Sequence, residues 1–181
     1  MKDDKKSLIW FLIGFVISVA CIYYVAHNME VISKFITSVG IFGSLLSVVL
    51  YGVLSVTPIP TDPITVINGA LFGPVVGSLV SWMGNNLAAY IEYHIGMGIR
   101  NITNFDHARK KLPFGLGKLP VNSFGFLFFG RFVPQVGSKV VSLMGGMYKV
   151  SIKKYMWTAA LSNLIGSILF ALGGWSLLKV L

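Results

Sequence analysis

The chain has 181 residues, of which 55% are hydrophobic and only 12% charged, and its mean hydropathy is +0.76. Soluble domains carry about 25% charged residues and about 45–50% apolar ones, and a chain this short cannot hide so much apolar surface in one core. Intrinsic disorder and a water-soluble enzyme are therefore excluded, and the expected class is an all-α integral membrane protein. The net charge of +9 comes from 15 Lys and Arg against 6 Asp and Glu. In a membrane protein the placement of such an excess marks the cytoplasmic side, rather than a nucleic-acid partner. The single Cys21 excludes an internal disulfide and lies in an apolar run, where it reads as packing.

Lys2, Lys5 and Lys6 precede an uncharged run from Ser7 to Ala26. Twenty helical residues rise about 30 Å, the thickness of the hydrocarbon core. Residues 1–37 are thus expected to form a tail and an uncleaved first transmembrane helix. A polar stretch from His27 to Lys34 follows, then apolar sequence from Val39 to Val56. It stops at Thr57-Pro58-Ile59-Pro60-Thr61-Asp62-Pro63, because prolines lack an amide donor and clash with the preceding turn. Apolar character resumes from Ile64 to Phe72 and breaks again at Gly73-Pro74.

Val75 to Ile99 is long enough to span and carries Asn85, Asn86, Glu92 and His94. The block from Arg100 to Pro120 holds Arg100, Arg109, Lys110, Lys111 and Lys118. Asn122 to Val133 is apolar but too short to span, and Pro134 ends it. Val140 to Tyr148 forms another short arm, ending near Gly145 and Gly146. After Lys149, Lys153 and Lys154 a last span runs from Tyr155 to Leu178.

A shift of 76 residues lays Pro58 on Pro134 and Gly69 on Gly145. Both halves then read as short arm, proline tip, short arm with glycine, spanning helix. Interrupted apolar segments at matching places in two halves point to a transporter site. Two re-entrant hairpins (39–73 and 121–148), each followed by a span (75–99 and 155–178), are predicted. Charge placement favours this over additional full spans: it gathers eleven of the fifteen basic residues on the side of Met1. It also makes the hairpins enter from opposite faces, as an inverted repeat requires. Arms of about eleven residues rise roughly 16 Å, so the tips are expected to meet near the bilayer midplane.

Arg131 is the leading candidate for transport chemistry. An arginine at membrane depth is unfavourable by about 3 kcal/mol or more, and its guanidinium suits phosphate oxygens. Asp62, in the first tip beside Pro60, is the expected counterpart, or else caps the helix that starts near Pro63. Pro134 and Lys139 belong to the second tip, Lys139 either adding charge to an anion site or reaching the interface. Glu92 is placed near the cytoplasmic end of its span, solvated or handling protons. Gly69, Gly73, Gly145 and Gly146 are assigned to tight turns and close helix approach. His94 and His107 offer no metal spacing, and no motif for a cofactor or a hydrolase is present, so no enzymatic step is expected. The Arg100–Lys118 loop is expected to meet anionic lipid headgroups rather than nucleic acid. Proton coupling and assembly into a homo-oligomer stay open.

Pro58-Ile59-Pro60-Thr61-Asp62 with Gly69-Ala70-Leu71-Phe72-Gly73 and Gly77 resembles the first signature of the DedA superfamily. The nearest branch is the VTT, or SNARE-associated Golgi protein, domain. Gly130-Arg131-Phe132-Val133-Pro134, with Gly145 and Gly146 downstream, resembles the second signature, and the likeness covers roughly residues 38–178. Relatives often have Glu at the place of Asp62, and Pro-Phe-Asn after the second proline, where this chain reads Gln135-Val136-Gly137-Ser138-Lys139. The resemblance implies movement of phospholipids or polyprenyl phosphates between leaflets, by a flippase or scramblase. It implies that Asp62 and Arg131 are the important acidic and basic positions. The expected home is a bacterial inner membrane, with the amino terminus and the 100–120 loop cytoplasmic. A proton-coupled transporter of a small ion or solute is the alternative function.

Overall fold

The computed structural model describes residues 41–57, 59–99, 118–133 and 137–180, with isolated positions between 16 and 38. The expected first transmembrane helix, most of the basic loop, Pro58 and Pro134 lie outside the described residues. The described chain is helical, with no strand among those residues. Five helices follow in order: α1 (Ile41–Ser55), α2 (Asp62–Gly98), α3 (Phe124–Phe129), α4 (Gly137–Met147) and α5 (Ile152–Val180). A 3-10 turn, Gly130–Phe132, continues α3. Asp62–Gly98 and Ile152–Leu177 are long and apolar enough to cross a membrane.

α2 is two segments joined at a break. Gly73 has φ 78° and ψ 172°, a left-handed φ that glycine alone adopts without strain, and Pro74 follows it. Residues 62–72 fold back along residues 74–98. Thr61 Oγ1 donates to Asn85 Oδ1 at 3.2 Å, Asn68 Nδ2 donates to Ser81 Oγ at 2.9 Å, and Gly77 abuts the Asn68 carbonyl. One set of numbers rises as the other falls, so the segments are antiparallel. The same holds between α1 and residues 62–72, where Ser47 bonds Asn68 and Tyr51 bonds Thr65, each at 2.8 Å. Residues 41–72 are therefore a helical hairpin, as expected from the proline cluster, and residues 74–98 form the long helix after it.

The second hairpin is less regular than the sequence led us to expect. Instead of an arm over Asn122–Val133, the α-helix holds six residues, capped by Ser123, whose Oγ accepts from Phe126 N at 3.1 Å. The coil then tightens to a 3-10 turn and leaves helical geometry at Val133 (φ −68°, ψ 117°). Pro134 is the reason: its ring disfavours helical backbone in the residue before it. The returning arm α4 begins at Gly137 rather than Val140 and runs to Met147. Residues 62–72 and α4 thus nearly coincide under the 76-residue shift, whereas α1, at 15 residues, and α3, at six, do not.

Close glycine contacts fix the helices. A Cβ on Gly174 would collide with the Val66 carbonyl, and one on Gly146 with the Tyr93 carbonyl. Gly69 lies against the Ala171 backbone and Gly145 against the Tyr155 ring, 2.9 Å from a Cβ built there. The apolar core gathers between the 74–98 helix, α3, α4 and α5, around Tyr93, Phe126, Leu127, Val141, Met144 and Tyr155. Elsewhere the usual order is reversed. Asn68, Thr65, Ser81, Ser142, Thr158, Ser162 and Ser167 are buried, while Phe42, Leu45, Val49, Val75, Leu79, Trp157 and Leu169 face outward. Apolar surface on this scale needs a hydrocarbon solvent, and small polar residues between close helices are what membrane packing uses.

Gly174→Leu is expected to destabilise the fold by about 1–3 kcal/mol or more, through overpacking against Val66. Gly173→Leu, one residue away with nothing within 4 Å of its built Cβ, should leave stability unchanged or raise it. Thermal unfolding of the two variants in the same detergent checks this, and equal losses would count against the contact.

Candidate functional site

The first tip is built by residues that cannot lie in a regular helix. Pro60 is buried, Thr61 occupies the N-cap position of α2, and Asp62 and Pro63 are its first residues. Thr61 makes no side-chain cap bond; its hydroxyl turns to Asn85 instead. Asp62 does not cap the helix either, contrary to one of the two roles expected of it. It sits half-buried in the first turn, where a carboxylate is favoured by the helix dipole. It makes no hydrogen bond or ion pair among the described residues.

The second tip carries Arg131 at the middle of the 3-10 turn, only 7% exposed. Its Nη2 donates to Tyr155 Oη at 2.7 Å and to Ser142 Oγ at 3.3 Å, and its Cζ stands 5.1 Å from the centre of the Tyr155 ring. Both acceptors are held in turn. Tyr155 donates to the Ala89 carbonyl at 2.9 Å, and Ser142 to the Ser138 carbonyl at 2.6 Å. The guanidinium is thereby oriented by α4 and α5 together. Its Nε is buried without a hydrogen-bond partner among the described residues. Buried donors are normally satisfied, and an orphan is unfavourable by about 1–3 kcal/mol.

Lys139, on α4, does not reach for an interface. Its Nζ donates to the carbonyls of Thr57 at 2.6 Å, Leu54 at 3.1 Å and Ser55 at 3.3 Å, at the end of α1. It also pairs with Glu92 Oε1 at 3.5 Å. The two hairpin tips are in direct contact through this one side chain. Glu92, expected near a wet end of its helix, is instead 5% exposed, with the charges of Lys139 and Arg131 both acting on it.

Asp62, Glu92, Arg131 and Lys139 line one cavity of about 540 Å³, with Pro60 also in its wall. Pro134 lies outside the described residues, and Gly69 and Gly146 act in helix packing. Several lining groups went unassigned as site residues in the sequence: Ser162, Asn163 and Ser167 from α5, and Asn85 from α2. Asn85 Nδ2 bonds Ser167 at 3.4 Å and Asn163 Nδ2 bonds Asn86 at 3.2 Å, so polar side chains bridge the two long helices beside the cavity. A partial signal was available, since Asn163 and Ser167 are four residues apart and so share a helix face. Tyr155 gave no such signal. The phenol that orients Arg131 reads in the sequence as an ordinary residue at the start of a span.

The cavity wall also includes Phe132, Leu169 and Phe170, whose side chains are exposed on the apolar exterior, Leu169 at 63%. No group of three or more candidate metal ligands occurs among the described residues. Comparison with curated proteins and with solved structures finds no match. The family model for the VTT domain matches residues 59–176, from the first tip through most of α5. The chain is a membrane protein that belongs to the VTT domain family, the domain of the DedA superfamily.

Proposed function

We propose that this protein moves a lipid with an anionic headgroup, a phospholipid or polyprenyl phosphate, between membrane leaflets through the cavity between its hairpin tips. The observation that carries the reading is Arg131: a buried guanidinium in the wall of that cavity, oriented by Tyr155 and Ser142, whose Nε has no hydrogen-bond partner among the described residues. Phosphate oxygens accept from such a fork in charge-assisted hydrogen bonds. Only the headgroup needs a polar route. The tail stays in hydrocarbon, and Phe132, Leu169 and Phe170 belong both to the cavity wall and to the apolar exterior, which supports a lateral opening. The step is movement alone, with no bond made or broken.

In this reading the two hairpins are re-entrant and enter from opposite faces. The length of residues 62–72 and of α4, roughly 16 Å each, supports tips at half depth, as does the Lys139 contact between them. Irregular backbone at that depth is tolerated only beside protein or a water-filled cavity. The amino terminus and the Arg100–Lys118 loop then face the cytoplasm of a bacterial inner membrane, with the basic loop on anionic headgroups. A second reading, a proton-coupled transporter of a small ion or solute, draws on the two carboxylates, Asp62 and Glu92, in the same cavity.

Purified protein in liposomes should carry labelled anionic phospholipid between leaflets, and Arg131→Ala should reduce this by at least tenfold while the protein still purifies as a folded species. Unchanged lipid movement in that variant would remove Arg131 from the mechanism. Solute-dependent proton uptake without lipid movement would favour the second reading.

The topology is tested by cysteines placed in a Cys21→Ser background and probed with an impermeant thiol reagent on intact cells. Positions in the 100–120 loop should stay unlabelled until the membrane is opened, and a cysteine added after Leu181 should react at once. Rapid labelling of the basic loop from outside would overturn the re-entrant arrangement.

A further inference from the structure

Lys139 sits among more oxygens than an ammonium can bond. Four surround its Nζ: the carbonyls of Thr57, Leu54 and Ser55 at 2.6, 3.1 and 3.3 Å, and Glu92 Oε1 at 3.5 Å. A lysine has three hydrogens to donate, so the cluster is organised around a charge rather than around a hydrogen-bond pattern. Three of the oxygens come from the end of α1 and the turn after it, where the helix dipole is negative. The fourth comes from Glu92 in the last third of α2. The ammonium itself arrives from α4. An all-oxygen shell of neutral carbonyls with one carboxylate is the coordination that small hard cations take, and its single negative charge matches a single positive one.

We propose that this cluster is a monovalent-cation site whose resident cation is the Lys139 ammonium, carried on the chain itself. Lys139 is thereby a positioning residue: it neutralises Glu92 and holds the first hairpin tip against the second. Without the ammonium, the buried carboxylate would keep the charge of Arg131 but lose its ion-pair partner and face three carbonyl dipoles, and a free sodium or potassium ion would answer it. The inference goes beyond the transport reading and does not depend on what the cavity carries, so its test reads cation binding and not lipid movement.

The test compares the full chain with Lys139→Ala and Lys139→Met by thermal unfolding in one detergent. Choline, sodium and potassium chloride are used at equal ionic strength. The native chain should unfold at one temperature in all three salts. Lys139→Ala, which vacates the space of the ammonium, should melt roughly 10 °C lower in choline. It should regain at least half of that loss in sodium or potassium, with a saturable dependence on their concentration. Lys139→Met loses the same charge but keeps a side chain in the site, and should gain nothing from either ion. Adding Glu92→Gln to Lys139→Ala should abolish the recovery. Equal melting of Lys139→Ala in choline, sodium and potassium would overturn the proposal, as would an equal recovery in Lys139→Met. Lys139→Ser is carried beside the alanine variant; failure of both to yield folded protein in sodium and in potassium also counts against it.

Discussion

A polar group that faces hydrocarbon has no water to turn to, and the architecture follows from that constraint. The chain answers it by turning its polar side chains inward and its large apolar ones outward. The simplest answers are local. Thr158 and Ser162 return their hydroxyls to carbonyls of their own helix, at 2.8–3.1 Å. Others join helices, as Asn68 does by accepting from Ser47 on α1 and donating to Ser81 on the long helix after the hairpin. Charges demand more than either. Arg131 needs a phenol from α5 and a hydroxyl from α4, and Lys139 needs the whole end of α1 besides a carboxylate. The ionisable residues therefore lie where several elements converge, and convergence of irregular helix ends is what leaves a cavity.

Close packing and open space are complementary here. α5 touches α2 backbone to backbone at Gly69 and Gly174, and it meets the other end of α2 where Tyr155 bonds the Ala89 carbonyl. Between those two contacts the helices are linked by Asn85 with Ser167 and Asn86 with Asn163. Side chains of that size hold helices apart, while glycine lets them meet.

Much of this was legible in the residues. Membrane class, the first hairpin and the break at Gly73-Pro74 follow from hydropathy, proline chemistry and spacing, each a local signal, and the family from the resemblance of the two proline-tip motifs. The shape of the second hairpin was not, because α3 is set by three things at once: the Ser123 cap, a run of phenylalanines and the backbone restriction that Pro134 places on Val133. The hydropathy of Asn122–Val133 says only that the segment is apolar. Side-chain partners were the least legible. Glu92 read as a residue near a wet end because its distance along the helix was visible and the approach of α4 was not. Tyr155 and Ser142 hold Arg131 through contacts 24 and 11 residues away along the chain, beyond any periodicity a helix imposes.

The four ionisable residues around the cavity are unequal. Lys139 and Glu92 are paired with each other, and the lysine is further held by three carbonyls. Removing that ammonium would leave the buried carboxylate without its ion-pair partner, which is strongly unfavourable. Among the described residues Arg131 is held through its Nη2, and its Nε has no partner there. Asp62 has no partner among the described residues. Binding an anion at Arg131 would therefore satisfy an orphaned donor, whereas binding one at Lys139 would break contacts already made. In the proposed transport reading the two cations of one cavity divide the work accordingly: Lys139 belongs to the framework, and Arg131 would be the group that meets the ligand.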